Sequence, residues 1–373
     1  MRVLITGGGT GGHLYPALAI AKGLLIERPD TEVLFVGTEK GLEAEKVPQE
    51  GFELKTITVV GLPRRPSIAF FKSSFLAARA CIESRRILKE FKPHVVVGTG
   101  GYVCGPVILM AAMSKIPCII QEQNTIPGLT NRILSRFVRK IAVAFDKAVE
   151  FFPDPKRVIV TGNPVRPEIA SISKEEGANA FNLNPKKTVL LVFGGGQGAR
   201  SINNALLEAI PNLLKNKELQ ILHSTGKDNF ESFYREVIKI QGVKDGLKRR
   251  QLIVEPYIDK MPHAYAASDL VLSRAGAMSL SEITARGLPA ILIPFPYAAN
   301  NHQEHNARVL QDKGAAVIIH NDQLNGEVLT QIVMNIAGDK DRLKEMAQNS
   351  KALGKIHATR ELVQLVIDTF EKA

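Results

Sequence analysis

Two glycine-rich turns of one design lie 187 residues apart in this chain of 373 residues. The first runs from Gly7 to Gly12 and the second from Gly194 to Ala199; each follows a short apolar segment and precedes a helix-like stretch. Free N–H groups and the positive dipole end at such a helix start attract anionic oxygens. Because the spacing is almost half the length, it predicts two similar α/β halves that present helix N-termini to a shared cleft.

Short apolar runs alternate with helix-like stretches along the whole chain. The runs are continuous rather than alternating, which indicates strands buried on both faces of a parallel sheet. We therefore predict two Rossmann-like, doubly wound domains of the α/β class, with ligands at the carboxyl ends of the strands. The predicted strands are 3–6, 33–37, 95–98, 118–121, 141–144, 158–161, 189–193, 220–224, 252–255, 270–273, 290–293 and 316–319.

A segment rich in proline and glycine, 161–167, follows the sixth predicted strand and marks the domain boundary. The predicted domains are 1–165 and 166–354. The remaining segment, 355–373, carries one apolar stripe and predicts a closing helix that docks on either half.

Basic residues are concentrated in the first half of the chain. The net charge is +8 for residues 1–165 and +3 for the remainder, and segment 61–92 has eight basic and two acidic residues. Such a local excess favours anionic partners: nucleic acid, acidic lipid headgroups or a phosphorylated substrate.

Other features of the composition exclude several classes of protein. The longest apolar run, 103–113, is too short to span a bilayer, and the chain opens on a strand rather than a signal peptide. Three well-separated cysteines fit neither a disulfide framework nor a zinc knuckle, so we expect buried thiols in a reducing cytoplasm.

Both glycine turns match the dinucleotide fingerprint, the second in its alanine variant. The nicotinamide interpretation also needs an acidic residue at the end of the second strand, where only Glu39 lies nearby. Turns that merely let a strand and a helix pack remain the structural alternative.

His13 follows the first turn at a predicted helix start, where a base beside an anion cradle suits activation of a hydroxyl nucleophile. A histidine that caps or packs the helix is the alternative. Two more polar strand ends, 98–102 and 121–124, would line the same crevice, unless they are ordinary turns.

In the second half, small residues open a helix that carries Glu282, whose carboxylate can accept both hydroxyls of a ribose. A surface helix glutamate is the alternative. The polar segment 300–306 can bind sugar hydroxyls, and its two histidines lack a matched third metal ligand. Asp339 and Asp341 are better explained by N-capping and solvation than by metal binding.

Several motifs in order resemble the MurG family through essentially the whole chain. They are Gly-Gly-Gly-Thr-Gly-Gly-His at 7–13, Gly-Gly-Tyr at 100–102, Glu-Gln-Asn at 122–124, Gly-Asn-Pro-Val-Arg at 162–166, Gly-Gln-Gly-Ala-Arg at 196–200 and segment 276–282. The resemblance implies the two-domain GT-B fold, with the C-terminal helix crossing back to the first domain. It implies an inverting transferase that moves N-acetylglucosamine from UDP-N-acetylglucosamine to the muramyl 4-hydroxyl of lipid I, forming lipid II in peptidoglycan synthesis.

The resemblance also implies roles for individual residues. His13 would be the base, Ile258 would contact uracil through its backbone, Glu282 the ribose, Arg166 the diphosphate and Gln303 the sugar. The implied donor-binding residues are Thr10, Gly11, Gly12, Asn124, Arg166, Gly196, Ile258, Ala277, Met278, Ser279, Leu280, Ser281, Glu282 and Gln303; the implied acceptor-binding residues are Gly101, Tyr102 and Glu122.

One position departs from the family pattern. Gly196 stands where the family commonly has a serine that contacts the diphosphate, so a hydroxyl contact is lost there. Backbone N–H donors from Gly195 to Ala199 could still bind the diphosphate.

A lipid-linked acceptor implies a peripheral protein at an anionic membrane surface, on the cytoplasmic face of the bacterial plasma membrane. Basic and apolar residues mingle in a membrane patch formed by Arg64, Arg65, Ile68, Phe71, Lys72 and Phe75. The spacing of Phe71, Phe75, Ala78 and Ile82 equally fits a core-facing helix. The implied partners include other cell-wall or division proteins but no nucleic acid, and no cofactor or metal is expected.

Three alternatives from other classes stay open at this point. They are a two-nucleotide oxidoreductase, a sugar-nucleotide epimerase of similar fold that needs no lipid acceptor, and a non-catalytic, membrane-peripheral binding module.

Overall fold

The chain forms two α/β units in the computed structural model, which describes residues 1–60 and 68–372, without the side chains of 68–74. Unit 1 comprises Met1–Val165 and His357–Ala373, and unit 2 comprises Arg166–Ile356. Each unit is built on its own parallel sheet, as the continuous apolar runs predicted.

Unit 1 contains a seven-stranded sheet in the order β3-β2-β1-β4-β5-β6-β7, and every neighbouring pair is parallel. Its strands are β1 (Arg2–Gly7), β2 (Glu32–Gly37), β3 (Glu53–Thr56), β4 (Val95–Gly100), β5 (Cys118–Glu122), β6 (Lys140–Val143) and β7 (Val158–Val160). The helices between them are α1 (Gly11–Glu27), α2 (Leu42–Gln49), α3 (Ile68–Phe91), α4 (Cys104–Met113) and α5 (Leu129–Leu134).

Unit 2 contains a six-stranded parallel sheet in the order β10-β9-β8-β11-β12-β13. Its strands are β8 (Thr188–Phe193), β9 (Leu219–Ser224), β10 (Leu252–Glu255), β11 (Leu270–Ser273), β12 (Ala290–Leu292) and β13 (Ala316–Ile318). Its helices are α6 (Glu168–Ser171), α7 (Lys174–Ala180), α8 (Arg200–Leu213), α9 (Lys227–Val237), α10 (Val243–Lys248), α11 (Met261–Ala267), α12 (Ala277–Arg286), α13 (His302–Gln311), α14 (Gly326–Ala337) and α15 (Lys340–Leu353).

The two sheets place the glycine turns at equivalent points. The chain winds outward in both directions from β1 and β4 in unit 1, and from β8 and β11 in unit 2. Ligands of open parallel sheets bind at such switch points, beyond the carboxyl ends of the strands. Each glycine turn follows one of the central strands, β1 or β8, and therefore lies at a switch point.

Continuous apolar strands fill a core on each face of their sheet. In β1, Val3 and Ile5 join the cluster on one face, whereas Leu4 joins the cluster on the other. In β8, Leu190 and Val192 face one cluster while the flanking residues face the second. Side chains of a strand alternate between faces, so only an apolar residue at every position buries both.

The last helix, α16 (Ala358–Glu371), belongs to unit 1 and packs on α1. Leu362, Val363 and Val366 are buried in the same cluster as β1 and α1. Gly23 of α1 makes this approach possible, because a Cβ there would lie 2.7 Å from Val363 Cγ2.

The three cysteines are free thiols, with Cys104 and Cys118 buried and Cys81 half-buried. Burial raises the pKa of Cys104 and of Cys118 to about 12, which keeps both as neutral thiols. Over the described ranges, no helix has the length and apolar character that crossing a bilayer requires.

Candidate functional site

The first glycine turn joins β1 to α1 and touches the end of β4. Gly9 has φ of +81°, and Gly101, just after β4, has φ of +87° with Gly8 O so close that a Cβ would lie 2.5 Å from it. Both positions therefore require glycine. The turn leads directly into Gly11 and Gly12, the first residues of α1. Their N–H groups have no hydrogen-bond partner within the helix.

A carboxylate of the chain already lies against this turn. Glu43 of α2 accepts hydrogen bonds from Gly9 N at 3.0 Å, Thr38 N at 2.9 Å and Thr38 Oγ1 at 2.7 Å. Burial alone would raise the pKa of Glu43, but these donors outweigh it and lower the pKa, so the group is ionised. One N–H group of the first turn is therefore occupied by an internal anion, which the sequence interpretation missed.

His13 lies in the first turn of α1, half-buried, with its ring against the ends of β4 and β5. Its Nδ1 lies 3.1 Å from Thr99 O and 3.0 Å from Gln123 Oε1. A backbone carbonyl only accepts hydrogen bonds, so Nδ1 carries the proton of the neutral ring and donates it. Nε2 is then the basic nitrogen, and no hydrogen bond to it occurs in the described part of the chain.

The end of β5 is held by Glu122, whose side chain is buried. Its carboxylate accepts from Asn124 N at 3.0 Å, Gly128 N at 3.0 Å and Asn131 Nδ2 at 2.9 Å. Glu122 thereby fixes the loop that carries Asn124, whose side-chain amide also donates to it at 3.2 Å. Tyr102, beyond β4, is 66% exposed.

The second glycine turn joins β8 to α8 in unit 2. Gly195 and Gly198 have φ of +91° and +76°, as tight turns of this type require. A Cβ at Gly196 would meet no atom within 4 Å, so space for a side chain exists there. The departure from the family's serine at this position therefore has no steric cause.

Helix α12 follows β11 and begins with the small residues that sequence analysis singled out. Ala277 and Leu280 are buried in the core of unit 2, whereas Met278, Ser279 and Ser281 are half-buried. Gly276 is the N-cap residue. The exposed sides of this first turn can therefore receive a ligand while its apolar side packs.

Glu282 and Arg166 form an ion pair within unit 2. Arg166 Nη2 and Nε lie 2.8 and 3.0 Å from Glu282 Oε1, and the buried Tyr265 also hydrogen-bonds this carboxylate. The Glu282 side chain is only 14% exposed. Burial raises its pKa, although Arg166 and Tyr265 act in the opposite direction. Two residues to which the resemblance assigns different parts of the donor thus contact each other here.

Two other donor-binding candidates of unit 2, Ile258 and Gln303, follow β10 and β12 along the chain. The Ile258 side chain is buried in the core, which leaves its backbone for any ligand contact. Gln303, half-buried in α13, accepts from Phe295 N at 3.0 Å and so holds the loop after β12. Asp339 accepts from Arg342 N at 2.9 Å as the N-cap of α15. Across residues 1–60 and 68–372, no three His, Cys, Asp or Glu residues cluster as metal ligands.

Part of the membrane patch can be located on α3. Arg64 and Arg65 lie outside the described residues, as do the side chains of Ile68, Phe71 and Lys72. Phe75 and Ile82 are 71% and 72% exposed, and Ala78 between them is also exposed. The interpretation of this stripe as a core face is therefore wrong for these three residues. Among residues 75–91 of the same helix, the exposed basic residues are Arg79, Arg85, Arg86 and Lys89.

Two family models together match most of the chain. The glycosyltransferase family 28 N-terminal domain matches residues 3–143, and the glycosyltransferase family 28 C-terminal domain matches residues 189–365. These matches, together with paired parallel sheets that carry a glycine turn at each switch point, place the chain among the family 28 glycosyltransferases.

Full-length relatives narrow this class. The UDP-N-acetylglucosamine–N-acetylmuramyl-(pentapeptide) pyrophosphoryl-undecaprenol N-acetylglucosamine transferase of Desulforamulus reducens is 47% identical over 98% of both chains. The crystal structure of Acinetobacter baumannii MurG is 29% identical, with a TM-score of 0.79 over 98% of this chain and 99% of that one. The chain belongs to the MurG family.

The fold is shared more widely than the family. The structure of UDP-GlcNAc 2-epimerase from Neisseria meningitidis bound to UDP-GlcNAc has a TM-score of 0.68 over 100% of both chains, at 15% identity. At that identity the likeness concerns the fold alone.

Proposed function

We propose that this protein is an inverting glycosyltransferase of peptidoglycan synthesis. It moves N-acetylglucosamine from UDP-N-acetylglucosamine to the 4-hydroxyl of the muramyl sugar of lipid I and so forms lipid II. Its relatives carry this activity in their names. The observation that carries the proposal is the state of His13, whose Nδ1 donates to a backbone carbonyl and whose Nε2 is thereby a proton acceptor.

In the proposed reaction, His13 Nε2 takes the proton of the 4-hydroxyl as that oxygen attacks the anomeric carbon of the donor. The new bond joins this oxygen to the anomeric carbon, and the bond from that carbon to the diphosphate oxygen breaks. UDP leaves with the electron pair, and the configuration inverts. General-base catalysis of this kind typically contributes about 10²–10⁴-fold to the rate.

Unit 2 binds the donor in this proposal. The N–H groups between Gly195 and Ala199 and the start of α8 stabilise charge that develops on the departing diphosphate. Arg166 leaves Glu282 to join that diphosphate, and the freed carboxylate accepts the ribose hydroxyls. The ion pair at 2.8 Å would then be a resting contact that holds both side chains near their ligand positions.

The lipid-linked acceptor lies in a membrane, and we propose that α3 binds the membrane surface. Exposed Phe75 and Ile82 lie among basic side chains on this helix. Each basic residue near an anionic leaflet contributes about 1 kcal/mol, and inserted apolar side chains add to this. The protein would act peripherally, on the cytoplasmic face of the plasma membrane.

We further propose that transfer needs neither metal nor cofactor. Arg166 and the helix N-terminus would neutralise the diphosphate charge that a divalent cation neutralises in other transferases. Excess chelator should leave the transfer rate unchanged; a loss that added Mg²⁺ or Mn²⁺ restores would contradict this point.

The decisive experiment measures transfer of labelled N-acetylglucosamine from its UDP donor to a lipid I analogue, with UDP release followed in parallel. The wild-type protein should form labelled lipid II with one UDP per transfer. His13→Ala should lower kcat by at least about a hundredfold and leave donor affinity nearly intact. Acceptor-independent epimerisation of the donor, or wild-type turnover in His13→Ala, would contradict the proposal.

A further inference from the structure

A chain of buried amides lies behind the His13 ring. Gln123 Nε2 donates to Thr99 O at 2.6 Å and to Gln121 Oε1, and Gln121 Nε2 donates to Asn163 Oδ1 at 2.9 Å. Asn163 Nδ2 donates to Gln123 O at 3.1 Å. The three amide side chains belong to residues that are at most 1% exposed. None of them belongs to the donor or base assignments made above.

The hydrogen bonds of this chain fix which way each amide points. Asn163 donates to a backbone carbonyl, so its other atom, Oδ1, faces Gln121 and requires an N–H from it. Gln121 Oε1 then faces Gln123, which donates a hydrogen bond to it from Nε2. That nitrogen is also needed at Thr99 O, so the remaining atom of the Gln123 amide, Oε1, faces His13.

We infer that Gln123 is a positioning residue, which together with Thr99 O holds His13 in the Nδ1–H tautomer and leaves Nε2 as the base. This inference rests on the proposed role of His13. Without acceptors at Nδ1, a neutral histidine ring in water favours the proton on Nε2, where it could not accept one from a hydroxyl. The hydrogen bond at one ring nitrogen decides which nitrogen is basic.

Within the described residues, neither group that hydrogen-bonds the ring carries a charge that would do this instead. From the ends of β4 and β5, the ring nitrogen Nδ1 meets the backbone carbonyl of Thr99 and the side-chain amide of Gln123, and both are uncharged. The nearby titratable groups are engaged elsewhere: Cys104 with Thr6 O and Gly100 O, Glu122 with its loop, and Glu43 with Gly9 and Thr38.

The tautomer can be read directly by nitrogen NMR of the full-length protein labelled on its histidine rings. His13→Gln assigns the His13 signals among those of the eight histidines. In the wild type, the signals of the neutral His13 ring should show Nδ1 protonated and Nε2 bare. The opposite pattern would overturn the inference, whatever the enzyme catalyses.

Gln123→Met keeps the length of the side chain and removes its amide. We expect His13 to shift toward the Nε2–H tautomer and kcat to fall about tenfold or more, with the KM for UDP-N-acetylglucosamine within about twofold of wild type. An unchanged tautomer or an unchanged kcat would show that Thr99 O suffices and would overturn the role of Gln123.

Gln251→Met is the matched control. Gln251 is also a buried amide donating to backbone carbonyls, Leu214 O and Asn216 O, but it lies in unit 2. Gln251→Met should lose about as much stability as Gln123→Met, while the His13 tautomer and kcat stay unchanged. A similar kcat loss in this control would make the Gln123 effect merely structural and overturn the inference. Failure of the proposed function gives a different result. Either the wild type would not transfer the labelled sugar or His13→Ala would transfer it at the wild-type rate, while NMR could still show the Nδ1–H tautomer in the wild type.

Discussion

Gly196 is the residue at which a substitution should improve donor binding. A Cβ there meets no atom within 4 Å, so Gly196→Ser should fold as well as the wild type. Its hydroxyl can donate to a diphosphate oxygen, and one such bond contributes about 1 kcal/mol, or roughly fivefold in Kd. Calorimetry with UDP-N-acetylglucosamine measures this. Gly196→Ala adds the carbon without the hydroxyl and should bind as wild type; equal behaviour of both variants would contradict the expected contact.

Glu282 should trade stability for donor affinity. Its raised pKa means that, at neutral pH, burial destabilises the ionised carboxylate by more than Arg166 and Tyr265 stabilise it. Glu282→Gln should therefore leave the thermal midpoint unchanged or higher, while UDP-N-acetylglucosamine binds about ten- to a hundredfold more weakly because a charged acceptor for the ribose is lost. Thermal unfolding and calorimetry test both halves. Weaker binding together with a clear loss of stability would indicate a structural role instead.

His223 should make folding of unit 2 sensitive to acid. The ring is fully buried, donates from Nδ1 to Val192 O at 3.1 Å, and burial lowers its pKa to about 4. Its usual pKa is near 6.5, so below that pH the unfolded chain binds the proton first and stability falls until the folded ring also titrates near pH 4. Between pH 7 and pH 5 this amounts to about 2 kcal/mol.

His223→Gln tests this because glutamine can keep the donor to Val192 O but does not titrate. The free energy of unfolding, measured in urea from pH 7 to pH 5, should fall less in the variant than in the wild type. Parallel pH profiles of the two proteins would rule out His223 as a source of the acid sensitivity.

At single-residue resolution, the sequence was informative where a residue follows a turn or opens a helix. His13 and Glu282 were singled out because a glycine turn or a run of small residues precedes them. The sequence gives no role to Glu43 or Tyr265 and places Gln123 only in a polar strand end, because the partners of all three come from other elements. Glu43 contacts Gly9 over 34 residues and Gln123 contacts His13 over 110. Only the folded sheet brings such residues together.

Secondary-structure elements followed the apolar pattern closely, with one instructive exception. All twelve predicted strands are present, because apolar residues predominate in them and most of these residues are buried against helices. The thirteenth, β3, reads Glu-Leu-Lys-Thr at the edge of the sheet and is largely exposed. It pairs through its backbone with β2 alone, and such pairing leaves little trace in hydrophobicity. The apolar stripe of α3 cannot be assigned from the sequence, because an exposed apolar stripe and a buried one have the same helical spacing.

The contact between α1 and α16 should show strong coupling between Gly23 and Val363. Alanine is favoured over glycine by about 1 kcal/mol inside a helix, but a Cβ at Gly23 lies 2.7 Å from Val363 Cγ2. Gly23→Ala should therefore destabilise the wild type or gain nothing. In a Val363→Ala background, where that methyl group is gone, the same change should stabilise by up to about 1 kcal/mol. Urea unfolding of the four proteins gives the coupling energy, and identical effects of Gly23→Ala in both backgrounds would contradict the packing argument.

On the scale of the whole molecule, charge is distributed unevenly, and the basic excess of residues 1–165 should control its attachment to membranes. Arg85 and Lys89 are exposed on α3 beside Ile82. Removing two basic contacts costs about 2 kcal/mol and the new carboxylates add repulsion, so the double variant Arg85→Glu, Lys89→Glu should bind vesicles rich in phosphatidylglycerol at least roughly thirtyfold more weakly than wild type. Sedimentation with these vesicles measures the partition coefficient. Binding of the wild type should also weaken as salt shortens the screening length.

Unit 2 supplies the control that separates local attraction from net charge. Lys340→Glu, Lys344→Glu changes the total charge by the same amount on exposed positions of α15. If α3 docks on the membrane, this second variant should bind the vesicles nearly as well as wild type, because its charges lie outside the docking surface. Equal loss in both variants would mean that the membrane senses only the overall charge of +11. A difference between them would instead assign the attachment to a surface that also exposes Phe75 and Ile82, two side chains suited to enter the interface once the charges have brought it near.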